Sequence, residues 1–246
     1  MGPMPVVQLF VTCLIDSFFP EVGESCVRQL RRAGAEVQFA PDQTCCGQPP
    51  FNAGYLTEAR ALARRAVAMF EGLAGDIVIP SGSCAAMIRH GYAELFAEEQ
   101  DWLARSRRVA VRVWEFSQYL VDRLEYRPSE VAAAPRLVYH PSCHLLRGLG
   151  VDRQPRELLA GLGGELVALE PDCCGFGGVF SVDQPDISEA MLEHRLDQIR
   201  RSGAETVVGA DVGCLMHLEG ALRRAGSPVR CRHIAQVLDG RGGGLA

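Results

Sequence analysis

The sequence has no long apolar segment, and this limits the functions that it can have. None of the 246 residues lies in a run that approaches the roughly 18 consecutive apolar residues of a transmembrane helix. The first residues carry no charged region ahead of an apolar stretch, and residue 6 is Val, so neither a signal peptide nor a myristoylation motif is expected. We therefore expect a cytoplasmic protein in a reducing compartment, with no transmembrane segment.

The chain also has no excess of positive charge. Its 25 basic and 30 acidic residues give a net charge of −5, whereas a nucleic-acid-binding surface needs a basic patch. We expect no nucleic-acid partner. Signatures of serine hydrolases, P-loop proteins and zinc metalloproteases are missing as well. With 48% hydrophobic and 22% charged residues, the chain is expected to fold around a substantial core.

Ten cysteines are the unusual feature of the composition. In a reducing compartment, so many cysteines indicate metal or redox chemistry more often than disulfides. No two of them are spaced as Cys-x-x-Cys, the close pairing that is typical of structural zinc sites.

Eight of the cysteines form an internal repeat. Each half has one cysteine, then an adjacent pair followed by glycine, then another single cysteine, and the first and last are equally far apart in both halves. Such periodicity indicates a duplicated unit. The first cysteine set is Cys13, Cys45, Cys46 and Cys84, and the second cysteine set is Cys143, Cys173, Cys174 and Cys214.

The segment between the two halves has the composition of a linker. Residues 127–135 contain two prolines and several small residues. We therefore predict a first cysteine-rich domain over residues 1–130 and a second over residues 131–246.

Hydrophobic periodicity predicts strands that alternate with helices in both halves. Short β-rich runs such as 6–11 and 76–79 alternate with amphipathic segments such as 57–73 and 188–201. This alternation is typical of a parallel sheet covered by helices on both faces. We predict an α/β fold of two pseudo-repeated Rossmann-like lobes with mainly parallel sheets.

Each repeated cysteine follows the carboxyl end of a predicted strand. In parallel sheets these ends share one edge, which is where ligands bind. We therefore expect four cysteines that are distant in sequence to meet at one edge in each lobe.

Thiolates at this density suit soft metals, either as a four-cysteine zinc site or as an iron–sulfur cluster. The absence of Cys-x-x-Cys favours iron. The glycine after each cysteine pair can supply the tight turn that brings adjacent thiols to one centre, and backbone N–H groups can donate to sulfur. The glycines predicted to contact the cofactor are Gly47, Gly175, Gly177 and Gly178.

Other interpretations of the cysteines stay open at this point. They could be buried as small apolar residues, form a vicinal disulfide or thiol-exchange site, or bind zinc in one or both halves. For Cys26 and Cys231, which lie outside the repeat, core packing is the expected role. His140, His144 and His217 flank the repeated cysteines, and either packing or a metal or proton role is open to them.

The sequence from Cys45 to Tyr55, and again from Cys173 to Gly178, resembles proteins with two cysteine-rich CCG domains. That group includes the B subunit of heterodisulfide reductase and the cysteine-rich subunits of glycerol-3-phosphate and glycolate oxidases. The sequence is most similar to the lactate utilization protein A family, and the segments around Cys84, Cys143 and Cys214 fit it too. The similarity extends over nearly the whole chain.

This resemblance implies an iron–sulfur protein, with 4Fe–4S clusters, that transfers electrons as a subunit of an oxidoreductase rather than as a complete enzyme. The partners that it implies are lactate utilization proteins B and C, and the reaction is the oxidation of L-lactate to pyruvate.

One departure from the wider CCG group bears on the type of cluster. Heterodisulfide reductase B has a fifth cysteine in each motif, and Ser81 and Asp211 take its place here. The resemblance then implies a cubane cluster, or one with an oxygen ligand from Ser81 or Asp211. A zinc-binding scaffold and a thiol–disulfide oxidoreductase are the alternative functions.

Overall fold

The computed structural model describes residues 4–129 and 136–240, which form two four-stranded sheets. Every pair of neighbouring strands is parallel. The predicted α/β fold with two repeated lobes is therefore confirmed. The strands of the first lobe are β1 (Val6–Leu9), β2 (Glu36–Gln38), β3 (Asp76–Ile79) and β4 (Val113–Glu115). Those of the second lobe are β5 (Leu137–Tyr139), β6 (Leu166–Val167), β7 (Thr206–Gly209) and β8 (Arg230–His233).

The strand order is the same in both sheets, β2-β1-β3-β4 and β6-β5-β7-β8. The central strands β3 and β7 are almost fully buried because helices cover both faces of each sheet. The edge strands β2 and β6 are shorter and partly exposed. The strand predicted over 165–169 is shorter in the structure, where β6 pairs with β5 through Leu166 and Val167 only.

Thirteen α-helices lie in the described part of the chain, and short π-helical turns cover Met87–Gly91 and His144–Gly148. Those of the first lobe are α1 (Cys13–Phe18), α2 (Pro20–Arg32), α3 (Gln48–Asn52), α4 (Leu56–Glu71), α5 (Gly82–Ala86), α6 (Tyr92–Leu95), α7 (Gln100–Ala110) and α8 (Phe116–Asp122). Those of the second lobe are α9 (Arg153–Ala160), α10 (Phe180–Asp183), α11 (Pro185–Ser202), α12 (Val212–Arg224) and α13 (Ile234–Asp239). Of these helices, none combines the length and the apolar character that crossing a bilayer requires.

The two lobes pack against each other in a reciprocal way. The last helix of the first lobe, α8, packs on α9 of the second lobe, and the last helix of the second lobe, α13, packs on α2 of the first. Helix α5 packs on the π-helical turn of the second lobe, while α12 contacts α1. One continuous hydrophobic cluster therefore contains residues of both lobes, including Leu9, Leu120, Leu145 and Leu238.

The position of the predicted domain boundary lies outside the described residues. It falls near residue 130, and residues 130–135 are not described. The domain limits 1–130 and 131–246 therefore stay a prediction.

Gly82 of α5 lies where this helix packs against the π-helical turn of the second lobe. A Cβ atom at this position would lie 2.5 Å from Cβ and 2.9 Å from Cα of Leu145. Leu145 is fully buried in the π-helical turn of the second lobe, so it cannot move aside without disturbing the shared core.

We expect Gly82→Ala to destabilise the protein by about 1–3 kcal/mol, because it overpacks this lobe contact. The matched control is Gly220→Ala in α12, where an added Cβ meets no atom within 4 Å. The control is expected to be neutral or to stabilise by up to about 1 kcal/mol through helix propensity. Urea unfolding measures both changes, and a Gly82→Ala variant as stable as the control would contradict the proposed packing.

Candidate metal centres between the lobes

All eight repeated cysteines line one cavity of about 210 Å³ between the lobes. The sequence predicts one cysteine site at the sheet edge of each lobe. The reciprocal packing turns these two edges toward each other, so both sets open into the same space. Whether the cysteines bind a metal stays a prediction, but their convergence is a feature of the fold.

Each repeated cysteine follows a strand, as the sequence predicts, and the next element fixes its position. Cys13 is the first residue of α1 and Cys84 lies in the first turn of α5. Cys143 immediately precedes the π-helical turn of the second lobe, and Cys214 lies in the first turn of α12. The adjacent pairs lie in the loops that follow the edge strands: Cys45 and Cys46 after β2, and Cys173 and Cys174 after β6.

Within the first cysteine set, the thiols interact in the order Cys13, Cys45, Cys46, Cys84. Hydrogen bonds from the thiols of Cys13 and Cys46 lower the pKa of Cys45 to about 3. Hydrogen bonding to Cys45, together with burial, raises the pKa of both Cys13 and Cys46. A thiolate that is stabilised by hydrogen bonds from neighbouring thiols favours metal binding, because metals bind deprotonated sulfur.

The second cysteine set repeats this arrangement in the order Cys143, Cys173, Cys174, Cys214. Hydrogen bonds from the thiols of Cys143 and Cys174 lower the pKa of Cys173 to about 2. The same interactions raise the pKa of Cys143 and Cys174. Each lobe thus joins four thiols in one chain of interactions, and four is the number of thiolates that a tetrahedral metal site or an iron–sulfur cluster takes.

The glycine after each cysteine pair makes the turn that the sequence predicts. Gly47 and Gly175 have φ angles of +86° and +87°, a conformation that side chains rarely adopt. Their N–H groups donate to Sγ of Cys45 and Cys173, each at 3.4 Å. Gly177 and Gly178 also line the cavity.

Asp211 joins the two lobes beside the cavity. Its Oδ1 accepts hydrogen bonds from Ser81 Oγ (2.7 Å), Ser83 Oγ (2.8 Å) and Ser83 N (3.0 Å), all in the first lobe. Its Oδ2 accepts a hydrogen bond from Ser142 Oγ in the second lobe. Ser81 and Asp211, the two candidate oxygen ligands, are thus hydrogen-bonded to each other across the lobe interface.

The three flanking histidines differ in position. His144 lines the cavity, and its Nδ1 lies 3.6 Å from Cys143 Sγ. His217 packs against Phe176, with ring centroids 5.8 Å apart. His140 is fully buried, and one of its ring nitrogens lies within 4.8 Å of the Sγ atoms of Cys174 and Cys214. Neither ring nitrogen of His140 has a hydrogen-bond partner among the described residues, and burial lowers its pKa to about 3.

Cys26 and Cys231 are fully buried away from the cavity lining, which confirms the core role predicted for them.

One residue near the second cysteine set was missed by the sequence analysis. Arg195 is fully buried in α11, on the apolar face that carries Leu192 and Ile199. A charged residue inside an apolar stripe is the signal that could have identified it.

Comparison with known proteins supports the relation that the repeat suggests. A family model described as a cysteine-rich domain, CCG, matches twice, over residues 7–89 and 137–219, and the matches include all eight repeated cysteines. The chain is 44% identical to lactate utilization protein A of Geobacillus kaustophilus, over 96% of this chain and 99% of that protein. It is 42% identical to lactate utilization protein A of an Exiguobacterium species, over 96% and 98% of the two chains.

Among solved structures, the fold is similar to that of a hypothetical protein from Helicobacter pylori, with a TM-score of 0.65. The two are 10% identical, and the match covers 98% of this chain and 50% of the other. At this identity the likeness concerns the fold alone.

We expect Asp211→Ala to destabilise the protein by about 2–4 kcal/mol, because the buried hydroxyls of Ser81 and Ser142 lose their acceptor. The exposed carboxylate of Asp183 provides the control, and Asp183→Ala is expected to change stability by less than about 0.5 kcal/mol. Thermal and urea unfolding measure the difference. Equal stability of the two variants would show that Asp211 does not hold the lobes together.

Proposed function

Because the chain belongs to the lactate utilization protein A family of cysteine-rich CCG proteins, we propose that it is an iron–sulfur electron-transfer subunit in L-lactate oxidation. The observation that carries the proposal is the convergence of two identically ordered sets of four thiols on one cavity. In this proposal the first cysteine set and the second cysteine set each hold one cluster, and the clusters supply one-electron redox chemistry.

The hydrogen bonding around Asp211 favours four-sulfur ligation over a site with an added oxygen ligand. Both carboxylate oxygens already accept hydrogen bonds from serines, and Ser81 Oγ donates to Asp211 while it accepts from Cys84 N at 3.3 Å. Each cysteine set then provides four thiolates and no more, the number that an ordinary 4Fe–4S cluster takes. This ligand count supports electron transfer over heterodisulfide-type chemistry.

The cavity is poorly suited to bind lactate itself. Among the described residues that line it there is no arginine or lysine, and Asp211 contributes a carboxylate. Arg147, the arginine closest in sequence to Cys143, is exposed and donates to the carbonyl of Pro171. The substrate carboxylate would have no arginine or lysine partner among the described residues of the cavity, so we propose that lactate binds to a partner protein.

The partners in this proposal are lactate utilization proteins B and C, and the compartment is the cytoplasm.

Oxidation of lactate to pyruvate releases two electrons and two protons. Two one-electron centres beside one cavity can together hold both electrons before they pass to an acceptor.

A second candidate is zinc in the second lobe. His140, Cys174 and Cys214 place one nitrogen and two sulfur donors within 4.8 Å of one another, and zinc accepts such mixed sets. Zinc has no redox step, so in this candidate the second lobe has a structural role. The protein is then either a scaffold or an electron carrier with a redox centre in the first lobe only.

Replacement of one cysteine from each set tests the assignment of the clusters. We expect Cys45→Ser and Cys173→Ser each to lose about half of the iron and acid-labile sulfide bound after anaerobic reconstitution, because each removes one thiolate from one site. The matched control is Cys26→Ala, which removes a fully buried thiol outside both sets and is expected to leave the iron content unchanged.

Metal analysis and EPR of the reduced protein provide the measurement. Equal iron loss in all three variants would contradict the two-site assignment. A wild-type protein that takes up zinc in place of iron in one site would support the second candidate.

The place of lactate binding gives a further prediction. We expect the reconstituted chain alone to show no lactate-dependent reduction, since the part of the cavity lining that the structure describes offers the substrate carboxylate no arginine or lysine. When lactate utilization proteins B and C are present, we expect L-lactate to reduce the clusters. Bleaching of the visible absorbance and EPR measure this reduction. Rapid reduction of the isolated chain by lactate would place the substrate site on this protein.

A further inference from the structure

The two cysteine sets have matching thiols but different buried neighbours. Phe10 and His140 occupy equivalent positions, because each follows the first strand of its lobe, β1 or β5, and lies three residues before the first repeated cysteine. Phe10 and His140 are both fully buried, at 0% and 1% exposure. A ring without polar atoms in the first lobe is thus replaced by an imidazole in the second.

A second difference lies in the helices that cover the cysteine pairs. Helices α4 and α11 bury residues at the same spacing, and Ala66 of α4 matches Arg195 of α11 in that pattern. Arg195 has no exposed surface. The second lobe therefore carries a buried cation where the first has a methyl group.

The guanidinium of Arg195 is tied to the loop that carries the second cysteine pair. It donates to the carbonyl oxygens of Glu170 (2.8 Å) and Asp172, the residues that lead into Cys173 and Cys174. Its charge interacts most strongly with the carboxylate of Asp172, and then with the thiolate forms of Cys174, Cys173 and Cys214. In a buried site such an interaction is only weakly screened by solvent.

The imidazole of His140 adds a free hydrogen-bond donor to the same side of the site. It lies within 4.8 Å of the Sγ atoms of Cys174 and Cys214, and its ring nitrogens have no partner among the described residues. A neutral imidazole carries one N–H group. Hydrogen bonds to sulfur favour the reduced, more negative form of an iron–sulfur centre.

Two carboxylates near the second cysteine set act against this effect, but to a smaller extent. The side chain of Asp172 is 43% exposed, so solvent screens its charge. Asp211 is buried, but it bridges Ser81 and Ser83 of the first lobe and Ser142 of the second. Together with the hydrogen bond to Cys173 and burial, the Asp211 charge raises the pKa of Cys143 in the second set, and the three serine donors compensate part of that charge.

We propose that the two centres have unequal reduction potentials, and that the second cysteine set, beside Arg195 and His140, holds the centre of higher potential. The inference rests on the proposed iron–sulfur function. Reduction adds a negative charge, which a buried guanidinium and an N–H donor stabilise. Within the chain, the first centre then passes its electron to the second, so electrons cross the cavity in one direction.

An EPR-monitored redox titration of the reconstituted protein tests the inference. The two centres are expected to titrate at separate potentials, with reduction constants that differ at least tenfold, which is about 59 mV for one electron. The Cys45→Ser variant retains the second centre alone and identifies its potential. Arg195→Met is expected to lower that potential, while Arg195→Lys restores most of it because it keeps the charge.

His140→Phe, which copies the first lobe, is expected to lower the potential of the second centre as well, and it decides the question if Arg195→Met does not fold. The control is Arg200→Met, an exposed arginine of the same helix. Equal potentials in the wild type would overturn the inference, as would an unchanged second-centre potential in the folded Arg195 or His140 variant. A wild type that binds no iron would instead overturn the proposed function, and iron analysis separates this result from the others.

Discussion

The buried carboxylate of Asp211 is the interaction on which the arrangement of the site depends. It accepts hydrogen bonds from two segments, and each of them leads into a repeated cysteine: Ser81 and Ser83 precede Cys84, and Ser142 precedes Cys143. Asp211 itself precedes Cys214 in the cap of α12. A buried anion is tolerated only where several donors compensate for lost hydration, so the segments that position three cysteines are held in one relative arrangement.

The reciprocal packing of the lobes explains why there is one cavity and not two. Each last helix packs on the other lobe, α8 on α9 and α13 on α2, and the hydrophobic cluster that results runs through both. Because the carboxyl ends of the strands in each sheet lie at one edge, this packing also makes the two edges face each other. The same helix packing therefore stabilises the fold and brings the two cysteine sets to one cavity.

The sequence predicts the part of this structure that depends on local pattern. Short β-rich runs predict the strands around residues 6–11 and 76–79, and the repeat predicts which cysteines meet within each lobe. The shared cavity could not be predicted in this way, because the packing of α13 on α2 depends on surfaces far apart in sequence. The sequence suggests Ser81 and Asp211 as separate candidate ligands, and their mutual hydrogen bond forms only when both lobes are in place.

The difference between the two cysteine sets follows from the cost of burying charge. A guanidinium without solvent, such as that of Arg195, is destabilised by several kcal/mol unless acceptors and negative charge surround it. Carbonyl oxygens of the loop before Cys173 supply the acceptors, and the neighbouring thiolates supply negative charge. The second cysteine set and Arg195 thus stabilise each other, and a metal centre that stays anionic would preserve that balance. Ala66 in the first lobe carries no charge and needs no such balance, so the thiols there interact with one another and with the N–H group of Gly47 without a buried cation at this position.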